Sequence, residues 1–229
     1  MISNPAAGVL YRVDHDALIE HASRADGTLV VVPQIGDFVP EGAPAFHLYG
    51  ANGTLDEEEV LRSLAFGKER SLHQDLAYGF RMLVDVAGRS ASSSMNDPTT
   101  AVQAIDRMHT LLRQLAARPF PSGRHHDSDG RLRLVVPTVS WEGYVHLAVD
   151  ELRRGCDQSI QLSRRLEAML RDLLSVAPDE RKPPLEDQQR LLAAGAERTF
   201  DDVEDQEAAL VPDEQGIGSG ADRVMAGRQ

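Results

Sequence analysis

The chain has 229 residues, 41% of them hydrophobic and 26% charged, which fits a soluble globular protein of one large or two small domains. Its 36 acidic and 24 basic residues leave a formal charge of -12, and lysine occurs only at Lys68 and Lys182. That balance offers no electrostatic footprint for a phosphate backbone, so no nucleic-acid partner is expected. The single cysteine, Cys156, excludes an internal disulfide and suits a reducing compartment. No apolar run approaches the roughly 18 residues that cross a bilayer, and the start Met1-Ile2-Ser3-Asn4-Pro5 does not read as a signal peptide.

The first fifty residues read as a small β module with one inserted helix. Val9 to Val13 is a strand. Asp14 caps a helix whose Leu18, Ile19 and Ala22 share a face, and Gly27 ends it. The β-branched run Thr28 to Val32 follows. Turn signals at Gly36-Asp37 and Pro40-Glu41-Gly42 flank Phe38-Val39, and Ala45 to Tyr49 returns as a strand. Glycines at the corners suggest a compact half-barrel. The Gly-Asp-Phe-Val-x-x-Gly-x-Pro pattern resembles one arm of a lipoyl- or biotinyl-type barrel. Those modules carry a target lysine, and the first 67 residues contain none, so a swinging-arm carrier is excluded.

Residues 51–177 read as a mainly helical domain with one or two added strands, making the whole chain α+β. Thr54 and Glu57 form a capping box for a helix through Leu61, Leu64 and Ala65 that stops at Gly67. Asp75 caps the next, with Tyr78, Met82, Leu83 and Val86 inward. Asp97 and Pro98 open a third, on which Ala101, Ala104, Ile105, Met108, Leu111, Leu112 and Leu115 recur at helical steps as far as Pro119. A loop from Pro119 to Gly130 leads to a strand over Leu132 to Val136. Ser140 caps a helix to Gly155, and Asp157 one through Leu173. From Pro178 acidic residues dominate, and residues 178–229 are expected to be a disordered tail with at most a short helix at Leu185 to Ala196.

Two places gather polar chemistry. Arg70, His73 and Asp75 form a candidate cluster, whose simpler reading is a polar connection with Asp75 as a cap. Asn96 and Asp97 put an amide and a carboxylate at the positive end of a helix. All five are candidate ligand-binding residues; no catalytic residue is assigned. The serines from Ser90 to Ser94 lie outside any Gly-x-Ser-x-Gly elbow. His125, His126, Asp127 and Asp129 are ordinary metal ligands in type but sit in a turn, so a solvated loop without metal is expected. Gly216-Ile217-Gly218-Ser219-Gly220 follows no strand and is not read as a nucleotide loop. No cofactor is expected.

Taken in order, several motifs resemble a family of predicted bacterial inner-membrane proteins of unknown function. They are Gly8-Val9-Leu10-Tyr11-Arg12-Val13-Asp14, Gly36 to Pro44, Phe66-Gly67-Lys68-Glu69-Arg70 with Gln74-Asp75, Tyr78 to Ala87, Asn96-Asp97-Pro98-Thr99-Thr100-Ala101, and Arg131 to Pro137. The resemblance runs from about Gly8 to Leu174. It implies a cytoplasmic C-terminal region behind N-terminal membrane-spanning helices that this chain lacks. The family's Leu-Ser-Pro-Gly/Ala-Ile before Asn-Asp-Pro is replaced here by Ala91-Ser92-Ser93-Ser94-Met95. The expected function is a soluble cytoplasmic accessory domain of a membrane protein, acting in assembly, ligand sensing or gating. The membrane is reached only through the missing helices. A homo-oligomer held partly through the N-terminal β module is expected. Two alternatives stand beside it: an enzyme of unknown reaction using Arg70, Asp75, Asn96 and Asp97, and a truncated non-catalytic scaffold.

Overall fold

The computed structural model describes residues 1–92, 97–155 and 159–211. The chain divides into two compact units, residues 1–79 with 120–139 and residues 80–119 with 140–229. Helix and strand coexist as an α+β arrangement with the strands toward the N-terminus.

The first unit carries two small sheets. The larger runs β1 (Ile2–Ser3), β5 (Pro44–Tyr49), β3 (Thr28–Val31), β8 (Leu132–Val135) and β7 (Arg124–His126). Strands β3 and β8 pair in parallel, Leu29 opposite Leu134 and Val30 opposite Val135, and the other pairs are antiparallel. Helix α1 (His15–Arg24) packs on β3 and β8. The second sheet runs β4 (Phe38–Val39), β2 (Gly8–Val13) and β6 (Leu64–Gly67). Leu10, Leu18, Leu29, Phe46, Val60 and Leu134 are fully buried in the shared core.

Local chemistry explains most of these elements. The Asp14 carboxylate accepts from the Ala17 N–H at 3.1 Å and starts α1 as expected. The helix expected from Thr54 to Gly67 is shorter. Its cap is Asp56, whose Oδ1 accepts from the Glu58 and Glu59 N–H groups, and α2 (Glu57–Arg62) ends before Leu64. Leu64 to Gly67 is instead strand β6, because β2 offers it a ladder: Val13 lies opposite Leu64 and Leu10 opposite Phe66. Likewise Arg124 to His126, expected in a loop, is drawn into the sheet by β8.

The second unit is helical. Helix α3 (Leu76–Ala91) contributes Phe80, Val84 and Ala87, all buried, and Phe80 meets Tyr144 with ring centroids 5.4 Å apart. The expected inward stripe of Tyr78, Met82, Leu83 and Val86 is displaced around the helix; Val86 is exposed. Both stripes satisfy helical spacing, so only tertiary packing chooses between them. Helix α4 (Pro98–Ala116) packs on α6 (Ile160–Val176) and α5 (Trp141–Gly155). Ala101, Ala104, Ile105, Met108 and Leu112 of the expected face are buried, and Ala116 joins them.

The stretch after Pro178 corrects the expectation of a disordered tail beginning there. A 3-10 turn at Asp179–Arg181 leads into α7 (Pro183–Thr199), which packs on α5 and α6, and α8 (Val203–Ala208) follows. Leu185, Gln188, Leu192 and Ala196 form its buried stripe, with Glu186 and Asp187 on the outside. Average composition hid a one-sided helix. Arg181 also closes the C-terminal end of α4 by donating to the carbonyls of Leu115, Ala116 and Arg118 at 2.9, 2.6 and 2.7 Å. The last part of the expected tail, from residue 212, and with it Gly216 to Gly220, lies outside the described residues, as do Cys156 and Asp157.

Candidate functional site

Arg70 and Asp75 meet, and the way they meet defines their role. Arg70 grips the carboxylate with two parallel bonds, Nε to Oδ2 at 2.9 Å and NH2 to Oδ1 at 3.0 Å. Oδ1 also accepts from the Tyr78 N–H at 2.9 Å, so Asp75 caps the start of α3 while it binds Arg70. The Asp75 side chain is 3% exposed and that of Arg70 29%. The guanidinium lies over the Tyr78 ring, 5.1 Å from its centroid. A planar fork on a carboxylate gives strong geometric specificity.

The neighbouring motif makes room for this pair. Gly36 has φ +96°, and a Cβ placed there would stand 2.6 Å from Arg70 NH2 and 2.7 Å from Asp75 Oδ2. Only glycine lets the turn cross so closely at that backbone angle. The same turn is tied to β2, with the Gly36 N–H on Leu10 O at 2.7 Å and the Leu10 N–H on Asp37 O at 3.0 Å. Gln74 completes the arrangement. Its amide accepts from the Val13 N–H at 2.9 Å and donates to Val13 O at 3.2 Å, taking the place of a neighbouring strand. Three separated motifs thus converge on one latch of the first unit. Both carboxylate oxygens of Asp75 are spent on protein donors. His73 is exposed, and its backbone N–H donates to Ser71 Oγ at 3.2 Å.

Asp97 is a helix cap, as its spacing predicts. Oδ1 accepts from the Thr100 N–H at 3.1 Å and Oδ2 from the Thr100 hydroxyl at 2.6 Å. The hydroxyl bond, with backbone bonds behind it, holds the carboxyl below its ordinary value. The preceding turn is closed by the Asp97 N–H on Ser90 O at 2.8 Å. Asn96 lies outside the described residues. Of the five candidates, the structure joins Arg70 with Asp75; Asp97 belongs to the other unit.

The histidine-rich segment has partners of a different kind. Asp127 accepts from the N–H groups of Asp129 and Arg131 at 3.0 and 2.9 Å and from Arg133 Nε at 2.6 Å. Arg133, itself buried, also donates to Asp26 Oδ1 at 3.1 Å and Gly27 O at 3.2 Å. His125 stacks on His15, centroids 4.7 Å apart. Burial, then the neighbouring His125, holds His15 below its ordinary value. Among the described residues no group of three or more His, Cys, Asp or Glu side chains is placed to hold a metal.

A second polar cluster, which sequence reasoning did not single out, lies between α4 and α6. Asp106, His109 and Arg113 stand at helical steps on α4, opposite Arg165 and Asp172 on α6. Arg165 Nε donates to Asp106 Oδ1 at 2.5 Å, and its NH2 reaches His109 Nδ1 at 2.8 Å. His109 Nε2 stands 2.7 Å from Asp172 Oδ2, and Arg113 pairs with the same carboxylate. A cleft of about 400 Å³ opens beside it, lined by His109, Thr110, Arg113, Gln114 and Asp172. The available signal was the i, i+3, i+7 placement of three titratable groups on one helix.

The chain matches the family described as "Predicted membrane protein (DUF2254)" over residues 1–172 and belongs to that family. Its similar relatives include an uncharacterized protein of Mycobacterium tuberculosis (strain CDC 1551 / Oshkosh), 30% identical over 213 residues, which cover 90% of this chain and 41% of the relative. An uncharacterized protein of Mycobacterium bovis (strain ATCC BAA-935 / AF2122/97) shows the same identity and coverage. The chain therefore spans about two fifths of the length of the curated relatives it matches. No solved structure matches it. Among the described residues no helix is long and apolar enough to cross a membrane.

Proposed function

We propose that this chain acts as a soluble, cytoplasmic accessory domain of a membrane protein, serving assembly, ligand sensing or gating, and that it associates with copies of itself. The observation that carries this reading is membership of a membrane-protein family by a chain whose described helices include none able to span a bilayer. The polar motifs agree with it, since Arg70 and Asp75 are spent on holding the first unit together. Self-association draws support from β4, which lies at the edge of its sheet and carries Phe38, 65% exposed.

Light scattering across a concentration series tests the association. The expected result is a species larger than the monomer, shifted toward monomer by Phe38→Asp. A monomer at every concentration overturns it. The accessory role is tested in the Mycobacterium tuberculosis relative by deleting the matched segment. Membrane partition should persist while assembly is lost; unchanged assembly sinks the proposal.

A further inference from the structure

The cluster between α4 and α6 contains one group whose protonation state is dictated by its neighbours. A guanidinium can only donate. Arg165 NH2 lies 2.8 Å from His109 Nδ1, so that nitrogen must carry the lone pair. The ring proton then sits on Nε2, where Asp172 Oδ2 accepts it at 2.7 Å. Both faces of the imidazole are thus engaged in the neutral form, and the ring links two residues of α6 to α4. Its side chain is only 19% exposed, and that of Arg165 12%.

We propose that His109 is a pH-sensitive latch on Arg165 between α4 and α6: the His109–Arg165 bond is closed when the imidazole is neutral and is released when the ring takes a second proton. Protonation places an N–H on Nδ1 directly against the Arg165 guanidinium. The bond to Arg165 is lost and two positive groups face each other. The bond to Asp172 survives and becomes charge-assisted. Arg165 is left with Asp106 as its acceptor in this cluster.

The surrounding charges set the direction. On α4 itself Asp106 and Arg113 flank His109; from α6 come Arg165 and Asp172. Arg181, from the turn before α7, is occupied with the carbonyls at the end of α4. The described part of α5 adds no charged group that bears on the ring. Burial disfavours the cation most. Asp172 favours it, and Arg165 and Arg113 oppose it. The outcome is a His109 held below its ordinary value of 6.5. A histidine lowered in this way makes folding favourable above the unfolded value. That contribution drains away as the pH falls from the unfolded value through the folded one.

The test compares melting of the full chain and of His109→Gln between about pH 8 and about pH 5, a window that brackets imidazole titration. A glutamine amide can still accept from Arg165 and donate to Asp172, but it does not titrate. The wild-type advantage should shrink toward zero on the acid side. A difference that stays constant with pH overturns the latch. Should the variant fail to fold, NMR of the wild type decides the matter. The His109 ring signals should titrate below 6.5, and the Arg165 Nε resonance should move with the same midpoint. A His109 midpoint at or above 6.5, or an unmoved Arg165, overturns it equally.

Discussion

The two units bury polar groups for different ends. In the first, side chains substitute for backbone. Gln74 bonds both polar groups of Val13, Asp75 takes the Tyr78 N–H, and Arg133 reaches Gly27 O. These contacts close irregular edges of two small sheets, where strands of two to six residues leave donors and acceptors unmatched. In the second unit helices satisfy their own backbone, and the polar groups link one helix to another: Arg165 to Asp106, His109 to Asp172, Gln189 to Glu167. In the first unit Arg133 is spent on a turn; in the second Arg165 joins two helix faces, while Arg181 closes a helix end. Sensitivity to substitution should differ accordingly, in geometry in the first unit and in packing and charge state in the second.

The largest expected effect is Asp75→Ala. It leaves a half-buried guanidinium unpaired and uncaps α3, and should cost about 3–5 kcal/mol in urea unfolding. Arg70→Met combined with Asp75→Leu should recover part of that loss, because no unpaired charge remains. A cost under 1 kcal/mol for Asp75→Ala would remove the contrast between the units.

Leu192→Ala probes the packing of the second unit. Leu192 is 3% exposed on α7, and truncation should cost about 2–5 kcal/mol through lost contacts and the cavity left behind. A variant as stable as the parent would mean that α7 does not belong to the fold it completes here.

Gly36→Ala tests geometry alone. At φ +96° the added methyl strains the backbone and collides with the Arg70–Asp75 pair. A loss of about 1–3 kcal/mol in chemical denaturation is expected, larger than that of a Gly42→Ala control, which carries the backbone strain of a positive φ but whose Cβ would meet nothing within 4 Å. Equal losses at both positions would show that backbone angle, not the latch, matters.

The smallest effect should come from Asp97→Ala. The cap is half-buried, and its lowered carboxyl adds stability above the unfolded value near 3.8 that is lost as the pH falls through the folded one. The melting difference between parent and variant should therefore vanish in acid. A difference that persists at low pH would assign the residue some other role.

Much of this could be read before any coordinates. Several local signals held: Asp14 and Asp97 cap their helices, β2, β3 and β5 follow β-branched or alternating runs, and the α4 stripe faces inward. The ordered motifs pointed to the family that the chain belongs to. The proximity of Arg70 and Asp75 was legible because they lie only five positions apart. That Gly36 lies over them was not, since the chain between Gly36 and Arg70 carries no record of who meets whom.

By itself, then, the sequence determined several helix starts, the strongest strands, the α+β class and the absence of a carrier lysine, all properties written within a few residues of each other. Tertiary structure decided the rest. It turned Leu64–Gly67 and Arg124–His126 into strands by offering partners, chose which apolar stripe of α3 is buried, and folded the acidic stretch after Pro178 into a packed helix. It also set the proton on His109, because Arg165 and Asp172 lie 56 and 63 positions away along the chain. The physical reason is common to all four. A strand, a helix face or an imidazole takes its state from whatever occupies its other side, and that neighbour is supplied by the fold.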